Sequence, residues 1–355
     1  MCALPKEVKN GLDELQEHYT DFQENKRGAN GYLFFAVNKI SRQEVAIKFY
    51  SGEEGGHQHD EPRQLAAINS PNVLPILDAR KVGQDWGYFV TPKCNEGDLD
   101  DVIASYPSAH HALDISLGIC NGVSALHAAR MLHRDLKPAN IVIDNGRPRI
   151  ADFGSVIALA DGVDFVIASK HSILYRPPES FATDRYTIKG DVYQVGLLVY
   201  QLLGGYLPYD GLKYLNRKEL KEYDQLDDPV EKAIYIDSVI QKKIESGTII
   251  ELSSLPPWIT SSSKRLLKSI INPDIGKRLP TIAEVAAVLT QIRSNVLDWK
   301  FVNGIPTLYL DNSVIQIRQS RDGDFAAYKK NSSGNYRMIP RMKSRCIVEL
   351  INRIK

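Results

Sequence analysis

One octapeptide constrains this 355-residue chain more than any other feature. It is HRDLKPAN, at positions 133 to 140, in which Asp135 is followed by Lys137 and, five residues later, by Asn140. Such a carboxylate can accept or orient a hydroxyl proton, and such a lysine can steady a moving phosphate. The amide oxygen of the asparagine can bind Mg²⁺. The spacing therefore predicts a site for phosphoryl transfer.

The segments around this octapeptide add a second carboxylate and a second lysine. Ile141–Ile143 and Arg149–Ala151 are strand-like, and the Asn145-Gly146 pair between them is a strong hairpin signal. Asp152 follows in an Asp-Phe-Gly triplet and offers another metal-binding carboxylate. Far upstream, Lys48 ends the apolar, strand-like tetrapeptide VAIK.

In type, order and spacing, these motifs resemble those of the eukaryotic-type protein kinase family, over roughly residues 20–293. The resemblance implies an α+β, two-lobed protein kinase domain at residues 1–293. Its small β-rich N-lobe would span about 15–92 and its larger helical C-lobe about 93–293. A small α+β module is predicted at 296–355. ATP and Mg²⁺ are the implied substrate and cofactor, and proteins are the implied acceptors.

Catalytic roles follow from the resemblance, position by position. Asp135 resembles the catalytic base and Lys137 the γ-phosphate contact. Lys48 resembles the strand lysine that holds the α- and β-phosphates, and Glu61 resembles its ion-pair partner on a helix. Asn140 resembles one of the two metal ligands.

Further positions match the family's supporting residues. Asp152 resembles the other metal ligand, and Asp191 resembles the aspartate that braces the catalytic loop. Pro177–Glu179 stands where the family carries Ala-Pro-Glu, and Arg278 resembles the buried partner of that glutamate.

The nucleotide site is predicted from a glycine-containing loop, two strands and the segment joining the lobes. The loop departs from the family pattern, because Lys26 replaces its first glycine. The residues predicted to contact the nucleotide are Gly28, Gly31, Leu33, Ala46, Lys48, Thr91, Cys94, Asp98 and Val142.

Serine/threonine specificity is favoured by Lys137–Asn140 and by Ser172, although tyrosine or dual specificity stays open because His171 departs from the pattern. Autophosphorylation within Ser155–Tyr175 is predicted to raise activity, through pairing of the new phosphate with Arg134. A nucleotide-binding pseudokinase scaffold is the main alternative, and a small-molecule kinase of similar fold is a weaker one.

The last sixty residues differ in charge from the rest. From Val296 onward, eleven Lys/Arg and five Asp/Glu give this tail a net charge of +6, whereas the whole chain carries +1. Thr307–Leu310 and Val314–Arg318 are strand-like, and Ile347 begins an amphipathic helix pattern. The tail is interpreted as a docking or regulatory module for a partner. Nucleic-acid binding is disfavoured for the near-neutral chain, though less so for this tail.

Composition and periodicity set the remaining expectations. The four cysteines lie far apart, which disfavours a disulfide framework or a zinc site. No secretory signal is visible, and the apolar stretch Val192–Tyr209 is interrupted by Gln194 and Gln201, so a core helix is predicted instead of a membrane span. A cytoplasmic location is expected, and nothing predicts an oligomeric state.

Further apolar runs predict secondary structure. Strands are expected at Tyr32–Val37, Glu44–Tyr50, Val73–Leu77 and Tyr88–Val90. Helical stripes begin at Ile115, Val192 and Ile282.

Overall fold

The computed structural model describes residues 4–25, 31–51, 65–168, 172–320, 322–331 and 334–354. An antiparallel sheet with strand order β1-β2-β3-β5-β4 builds the N-terminal part, next to a helix, α1, at Lys6–Leu15. The strands are β1 Tyr19–Asn25, β2 Tyr32–Asn38, β3 Glu44–Ser51, β4 Asp78–Val82 and β5 Trp86–Pro92.

Alternation along β3 gives this sheet two different faces. Val45, Ile47 and Phe49 are buried in the apolar core that the sheet forms with Val8 and Leu15 of α1. Successive strand residues point to opposite faces, so Ala46 and Lys48 lie on the other side. The sheet therefore presents Lys48 on the face opposite its own core.

Helices build most of the next two hundred residues. They are α2 Leu99–Ala104, α3 Ala109–Ala128, α4 Glu179–Thr183, α5 Ile188–Leu202, α6 Arg217–Asp224, α7 Pro229–Glu245, α8 Ser261–Ile270 and α9 Ile282–Asn295. Three two-stranded ribbons lie among them: β6 Met131–Leu132 with β9 Ile157–Ala158, β7 Ile141–Asp144 with β8 Arg147–Ile150, and β10 Val166–Ile167 with β11 Arg185–Tyr186.

The predicted helical stripes coincide with the core of this part. Ile115 and Ile119 of α3 and Ile282 of α9 are buried. Every residue of α5 from Gly190 to Leu202 is buried, so this helix is enclosed on all sides. The β-rich N-terminal part and the helical part that follows confirm the predicted two-lobed architecture. The exact domain limits stay a prediction.

A third unit follows α9 and confirms the predicted α+β module. Its strands are β12 Trp299–Val302, β13 Ile305–Leu310, β14 Ser313–Gln319, β15 Phe325–Asn331 and β16 Arg337–Ser344, paired in sequence order, and a helix, α10, spans Ile347–Arg353. One sheet face packs against Leu350 of α10. Trp258, just before α8, stacks on Trp299 at 6.3 Å and lies 4.6 Å from Phe301, between ring centroids.

One predicted strand is wrong. Val73–Leu77 forms a connection in which only Val73 makes an isolated bridge, to Ile150, and the strand begins at Asp78. The run is apolar because Val73 and Leu74 are buried beneath the β7–β8 ribbon. Sequence alone does not separate a buried apolar connection from a buried strand. The other predicted strand of the pair, Tyr88–Val90, lies within β5.

Within the ranges given above, no helix combines the length and the apolarity that crossing a bilayer requires.

Candidate active site

The carboxylate of Asp135 is held by two side chains from its own octapeptide. Asp135 is 4% exposed. Lys137 Nζ lies 2.8 Å from Asp135 Oδ2, and Asn140 Nδ2 donates to the backbone oxygen of Asp135 at 2.7 Å and to Oδ2 at 3.2 Å. A single 3₁₀ turn at Pro138–Asn140 brings the asparagine back to the carboxylate. The three motif residues of the octapeptide therefore converge on one point.

A buried aspartate on α5 fixes the backbone of this loop. Asp191 is fully buried and accepts hydrogen bonds from the backbone N–H groups of His133 and Arg134, each at 3.0 Å. His127 Nε2 and the Tyr186 hydroxyl also donate to it, each at 2.7 Å. Burial opposes its ionisation, but the hydrogen bonds that it accepts, first among them the one from His127, act together with the neighbouring His133 to keep the pKa of Asp191 below the usual aspartate value.

Arg134 adopts a left-handed backbone conformation, with φ at 67°, directly after these two anchored amides. This conformation is costly for a residue with a side chain, and surrounding bonds must hold it in place. Gln194 of α5 contributes, since its Oε1 accepts from the Leu136 N–H at 2.8 Å and its Nε2 donates to the Arg134 carbonyl at 3.1 Å. Helix α5 thus sets the geometry of the loop.

The second predicted carboxylate meets the predicted strand lysine across the interlobe cleft. Lys48 Nζ forms a short ion pair with Asp152 Oδ1. Asp152 also has a left-handed backbone, with φ at 54° and ψ at 77°. Burial acts against ionisation of this carboxylate, yet the Lys48 ammonium keeps the pKa of Asp152 below its usual range. The other predicted partner of Lys48, Glu61, lies outside the described residues.

Four of the predicted nucleotide contacts, Leu33, Ala46, Lys48 and Thr91, share one face of the N-terminal sheet. Leu33 pairs with Lys48, and Ala46 pairs with Thr91, as direct neighbours in the antiparallel register. Such neighbours point to the same side of a sheet. Thr91 Oγ1 donates to the Ala46 carbonyl at 3.5 Å, and Cys94 follows β5 at the junction with the helical part.

Three of the predicted contacts have structural duties of their own. Gly31 has φ of 100°, and a Cβ there would lie 2.1 Å from the carbonyl oxygen of Phe49, so only glycine fits. Asp98 caps α2, accepting hydrogen bonds from two backbone N–H groups of its first turn. Val142 makes a backbone bridge to Asp98. Gly28 lies outside the part of the chain that the structure describes.

Magnesium fits the two predicted ligands. Both hydrogen bonds of Asn140 leave from Nδ2, so its amide oxygen remains for a cation, and Asp152 supplies a carboxylate whose side chain is 30% exposed. Across the described residues, no group of three or more His, Cys, Asp and Glu could hold a metal. Mg²⁺ characteristically takes one or two protein oxygens and completes its shell with phosphate oxygens and water.

A second polar network lies beside the loop and was not predicted. The Tyr175 hydroxyl donates to Gln201 Oε1 at 2.8 Å and lies 3.4 Å from the Tyr209 hydroxyl, which donates to Asp100 Oδ1 at 2.5 Å. Burial raises the pKa of Asp100. Gln201 and Tyr209 line a cavity of about 670 Å³. This network could have been anticipated, because Gln201 interrupts an apolar helix and a buried amide needs hydrogen-bond partners.

The predicted pair of Glu179 and Arg278 is present. Arg278 Nη1 and Nη2 donate to the two carboxylate oxygens of Glu179 at 2.8 and 2.9 Å, and the arginine side chain is fully buried. This bidentate contact ties α4 to the segment that leads into α9.

Comparison with known proteins agrees with this geometry. Residues 19–288 match the family model described as "Protein kinase domain". A leucine-rich repeat receptor-like serine/threonine/tyrosine-protein kinase, SOBIR1 of Arabidopsis thaliana, is 30% identical over 53% of this chain and 32% of its own length. A putative serine/threonine-protein kinase A of Trypanosoma brucei brucei is 28% identical, over 64% of this chain and 49% of its own.

The serine/threonine-protein kinase PknL of Mycobacterium tuberculosis is 34% identical, over 49% of this chain and 43% of its own length. The chain thus spans between about a third and a half of these relatives.

Proposed function

The chain belongs to the protein kinase family, and we propose that it transfers the γ-phosphate of ATP to Ser and Thr hydroxyls of protein substrates, including its own. The convergence of Lys137 and Asn140 on the Asp135 carboxylate is the observation that carries this proposal. Asp135 orients the acceptor hydroxyl and receives its proton. Lys137 neutralises negative charge on the phosphoryl group during its transfer.

The remaining residues position the nucleotide. Lys48 holds its α- and β-phosphates, and the sheet face that carries Leu33 and Ala46 covers the adenine. Asn140 and Asp152 hold Mg²⁺, which neutralises the phosphate oxygens when it is bound. Lys48 favours the ionised form of Asp152, so this carboxylate carries the negative charge that metal binding needs.

Serine/threonine specificity is the finer part of the proposal. The Trypanosoma and Mycobacterium relatives are named as serine/threonine-protein kinases, and the name of the Arabidopsis relative adds tyrosine. Tyrosine or dual specificity is therefore the second candidate. A pseudokinase is not favoured, because Lys48, Asp135, Asn140 and Asp152 are all present.

Autophosphorylation is proposed for the segment that Arg134 holds. Arg134 Nε donates to the Ser155 carbonyl at 2.6 Å, and its Nη1 donates to the Ile167 carbonyl at 2.8 Å. The side chains of Ser155 and Tyr175 are buried in this arrangement, so modifying either requires the segment to rearrange. Ser169 lies outside the described ranges.

A cytoplasmic location is also proposed. The described cysteines, Cys94, Cys120 and Cys346, are all free thiols, as a reducing compartment favours.

The test is a phosphotransfer assay with Mg·ATP and protein acceptors, comparing the wild type with Asp135→Asn. The exposed Asp85→Asn serves as the matched control. Asp135→Asn is expected to reduce the rate about 10²- to 10⁴-fold, because an amide cannot take up the proton. Phosphoamino-acid analysis then identifies the acceptor. Unchanged activity of Asp135→Asn, or phosphotyrosine as the sole product, would overturn the proposal.

A further inference from the structure

The C-terminal sheet has one face away from its apolar core, and that face is cationic. Leu308, Ile315 and Ala327 point into the core beneath α10. By strand alternation, their sequence neighbours point outward. We call this outward surface the cationic face; it comprises Lys300, Tyr309, Val314, Gln316, Arg318, Tyr328 and Lys330. Thr307 and Ala326 lie on the same side of the sheet but are buried, so they are not part of this surface.

The charges on the cationic face have one sign. Lys300, Arg318 and Lys330 are its charged members, and no carboxylate belongs to it. None of the three makes an ion pair with any residue described in the structure. By contrast, Lys343 on the neighbouring strand β16 pairs with Asp324 at 3.0 Å. The cationic face therefore carries three unneutralised positive charges within one sheet surface.

Tyrosine rings hold these cations in place. Lys300 Nζ lies 4.8 Å from the centroid of the Tyr309 ring. The Arg318 guanidinium lies 5.3 Å from Tyr328 and 4.4 Å from Tyr336, a residue at the edge of the face. These contacts are attractive and restrict long, flexible side chains. Binding of a ligand to these restricted side chains therefore costs less side-chain entropy than binding to freely moving lysines and arginines.

The guanidinium of Arg318 is also oriented by a hydrogen bond. Its Nε and Nη2 donate to Gln316 Oε1 at 3.1 and 2.7 Å. Gln316 occupies one edge of the planar group, so the donors of Nη1 remain for a ligand. A guanidinium edge with fixed orientation suits a carboxylate.

We propose that the cationic face docks an acidic, Asp/Glu-rich segment of the protein substrate. An acidic partner is chosen because the three cations of this face form no ion pair with a carboxylate in the described structure, so a carboxylate-rich segment would complement their charge. Single-stranded nucleic acid fits less well, because the rings of Tyr309, Tyr328 and Tyr336 already bear cations and base stacking would displace them. That the acidic partner is a substrate rests on the proposed kinase function; the binding itself does not.

Binding is tested by fluorescence anisotropy of the full chain with a labelled polyglutamate peptide. The double variant Lys300→Glu/Lys330→Glu is expected to bind at least about tenfold more weakly, with wild-type affinity falling as NaCl rises. Lys81→Glu, an exposed strand lysine of β4, is the matched control and should bind as the wild type does. Unfolding curves verify that each variant is folded. Equal binding by the double variant would overturn the proposal.

Labelled oligothymidylate and phosphatidylserine vesicles are measured alongside. If either binds more tightly than polyglutamate and is lost in the same double variant, the face serves nucleic acid or membrane and the proposal fails. The expected result is weaker binding of both.

Substrate docking is tested by steady-state kinetics with an acceptor peptide, with and without an acidic extension. The extension should lower KM severalfold in the wild type and not in the double variant, with kcat unchanged. An equal KM for both peptides in the wild type would refute docking. If no peptide is phosphorylated at all, the kinase proposal fails, while the anisotropy result still decides the binding.

Discussion

Asp191 shows how one buried charge, distant in sequence, organises the loop that carries Asp135. It accepts four hydrogen bonds, two of them from loop amides, and lies on a helix enclosed on all sides. A buried carboxylate is tolerated only when such hydrogen bonds offset the free-energy cost of removing it from water. Removing it would leave His127 Nε2 and the two loop amides without an acceptor, whereas the Tyr186 hydroxyl would keep Gln194 Oε1.

Asp191→Ala is therefore expected to lower the free energy of unfolding by about 3–5 kcal/mol. The measurement is denaturant unfolding, with the exposed Asp85→Ala as control, expected within about 0.5 kcal/mol of the wild type. Because folding lowers the pKa of Asp191, its contribution is present above the unfolded pKa of about 3.9 and is lost as pH falls through the folded value. The acid-induced loss of stability should be smaller in Asp191→Ala; equal stability of the two proteins would contradict this account.

Cys94 yields a pH prediction for the proposed nucleotide site. Burial raises its pKa to about 11, so little thiolate exists at neutral pH. Alkylation proceeds through the thiolate, and a free cysteine has a pKa of about 8.5. Iodoacetamide should therefore modify Cys94 about two orders of magnitude more slowly than free cysteine near pH 8, with the rate rising until about pH 11.

This rate is measured by peptide mass spectrometry in a variant whose Cys2 and Cys346 are replaced by serine. Mg·ATP should slow the modification further if Cys94 borders the adenine. A rate equal to that of free cysteine would contradict the burial, and a rate insensitive to Mg·ATP would count against the site.

The convergence of site residues was predictable where a motif fixes both type and spacing, as for Asp135, Lys137 and Asn140. Their catalytic roles stay a prediction. The side chains that hold the surrounding segments were harder to predict, because Gln194, which binds the loop backbone, and Gln201, which binds Tyr175, lie far away in sequence. Their position within an apolar helix was a usable sign that buried partners exist. The cap formed by Asp98 was not predicted, because the resemblance assigned this residue only to the nucleotide site.

At the scale of elements, α3 and the β7–β8 ribbon pack closely enough to require glycine. A Cβ on Gly122 would lie 2.4 Å from the carbonyl oxygen of Asn72 and 2.6 Å from Ile150 Cγ1. That carbonyl also accepts the Ile150 N–H at 2.8 Å, so it cannot withdraw freely. The contact sets the distance between helix and ribbon.

Gly122→Ala is therefore expected to destabilise the protein by about 1–3 kcal/mol, although alanine is the better helix former. Thermal or denaturant unfolding measures the effect. Asn121→Ala, exposed on the same helix, is the control and should be neutral or slightly stabilising. Equal stability of the two variants would mean that the helix can shift to admit a methyl group.

Two strands, β4 and β16, were not predicted because their sequences lack the alternation of apolar and polar residues that indicates a paired strand. Strand β4 has three exposed residues and no apolar alternation, so its pairing with β5 leaves little trace in sequence. Strand β16 mixes three cationic residues with apolar ones and contains Pro340. Proline is tolerated there because β16 is an edge strand of its sheet, as the strand order shows.

At the scale of the whole molecule, Trp258 joins the C-terminal module to the helical part. Its ring lies against Phe301 and Trp299 of β12. Trp258→Ala removes this contact and should let the module separate more often, which limited proteolysis would detect as severalfold faster cleavage near Leu297. Ile40→Ala, at a 93%-exposed side chain, is the control. Unchanged cleavage would show that other contacts suffice to hold the module.

The charge distribution was predictable at this scale, because it can be counted along the chain. The excess of Lys and Arg after Val296 could be counted in the sequence, but its placement on one face of the sheet could not be predicted. This placement depends on strand register, and a shift of one residue would turn Arg318 and Lys330 into the core.

The order of the strands in the C-terminal module has a kinetic consequence. Each strand pairs with its neighbour in sequence, from β12 to β16, so every pairing closes a short loop. Loop closure of this kind has a small entropic barrier, and such local topologies form quickly. The N-terminal sheet instead joins β3 to β5 across more than thirty intervening residues. During refolding, we expect hydrogen-exchange protection to develop in the module before it develops in the N-terminal sheet.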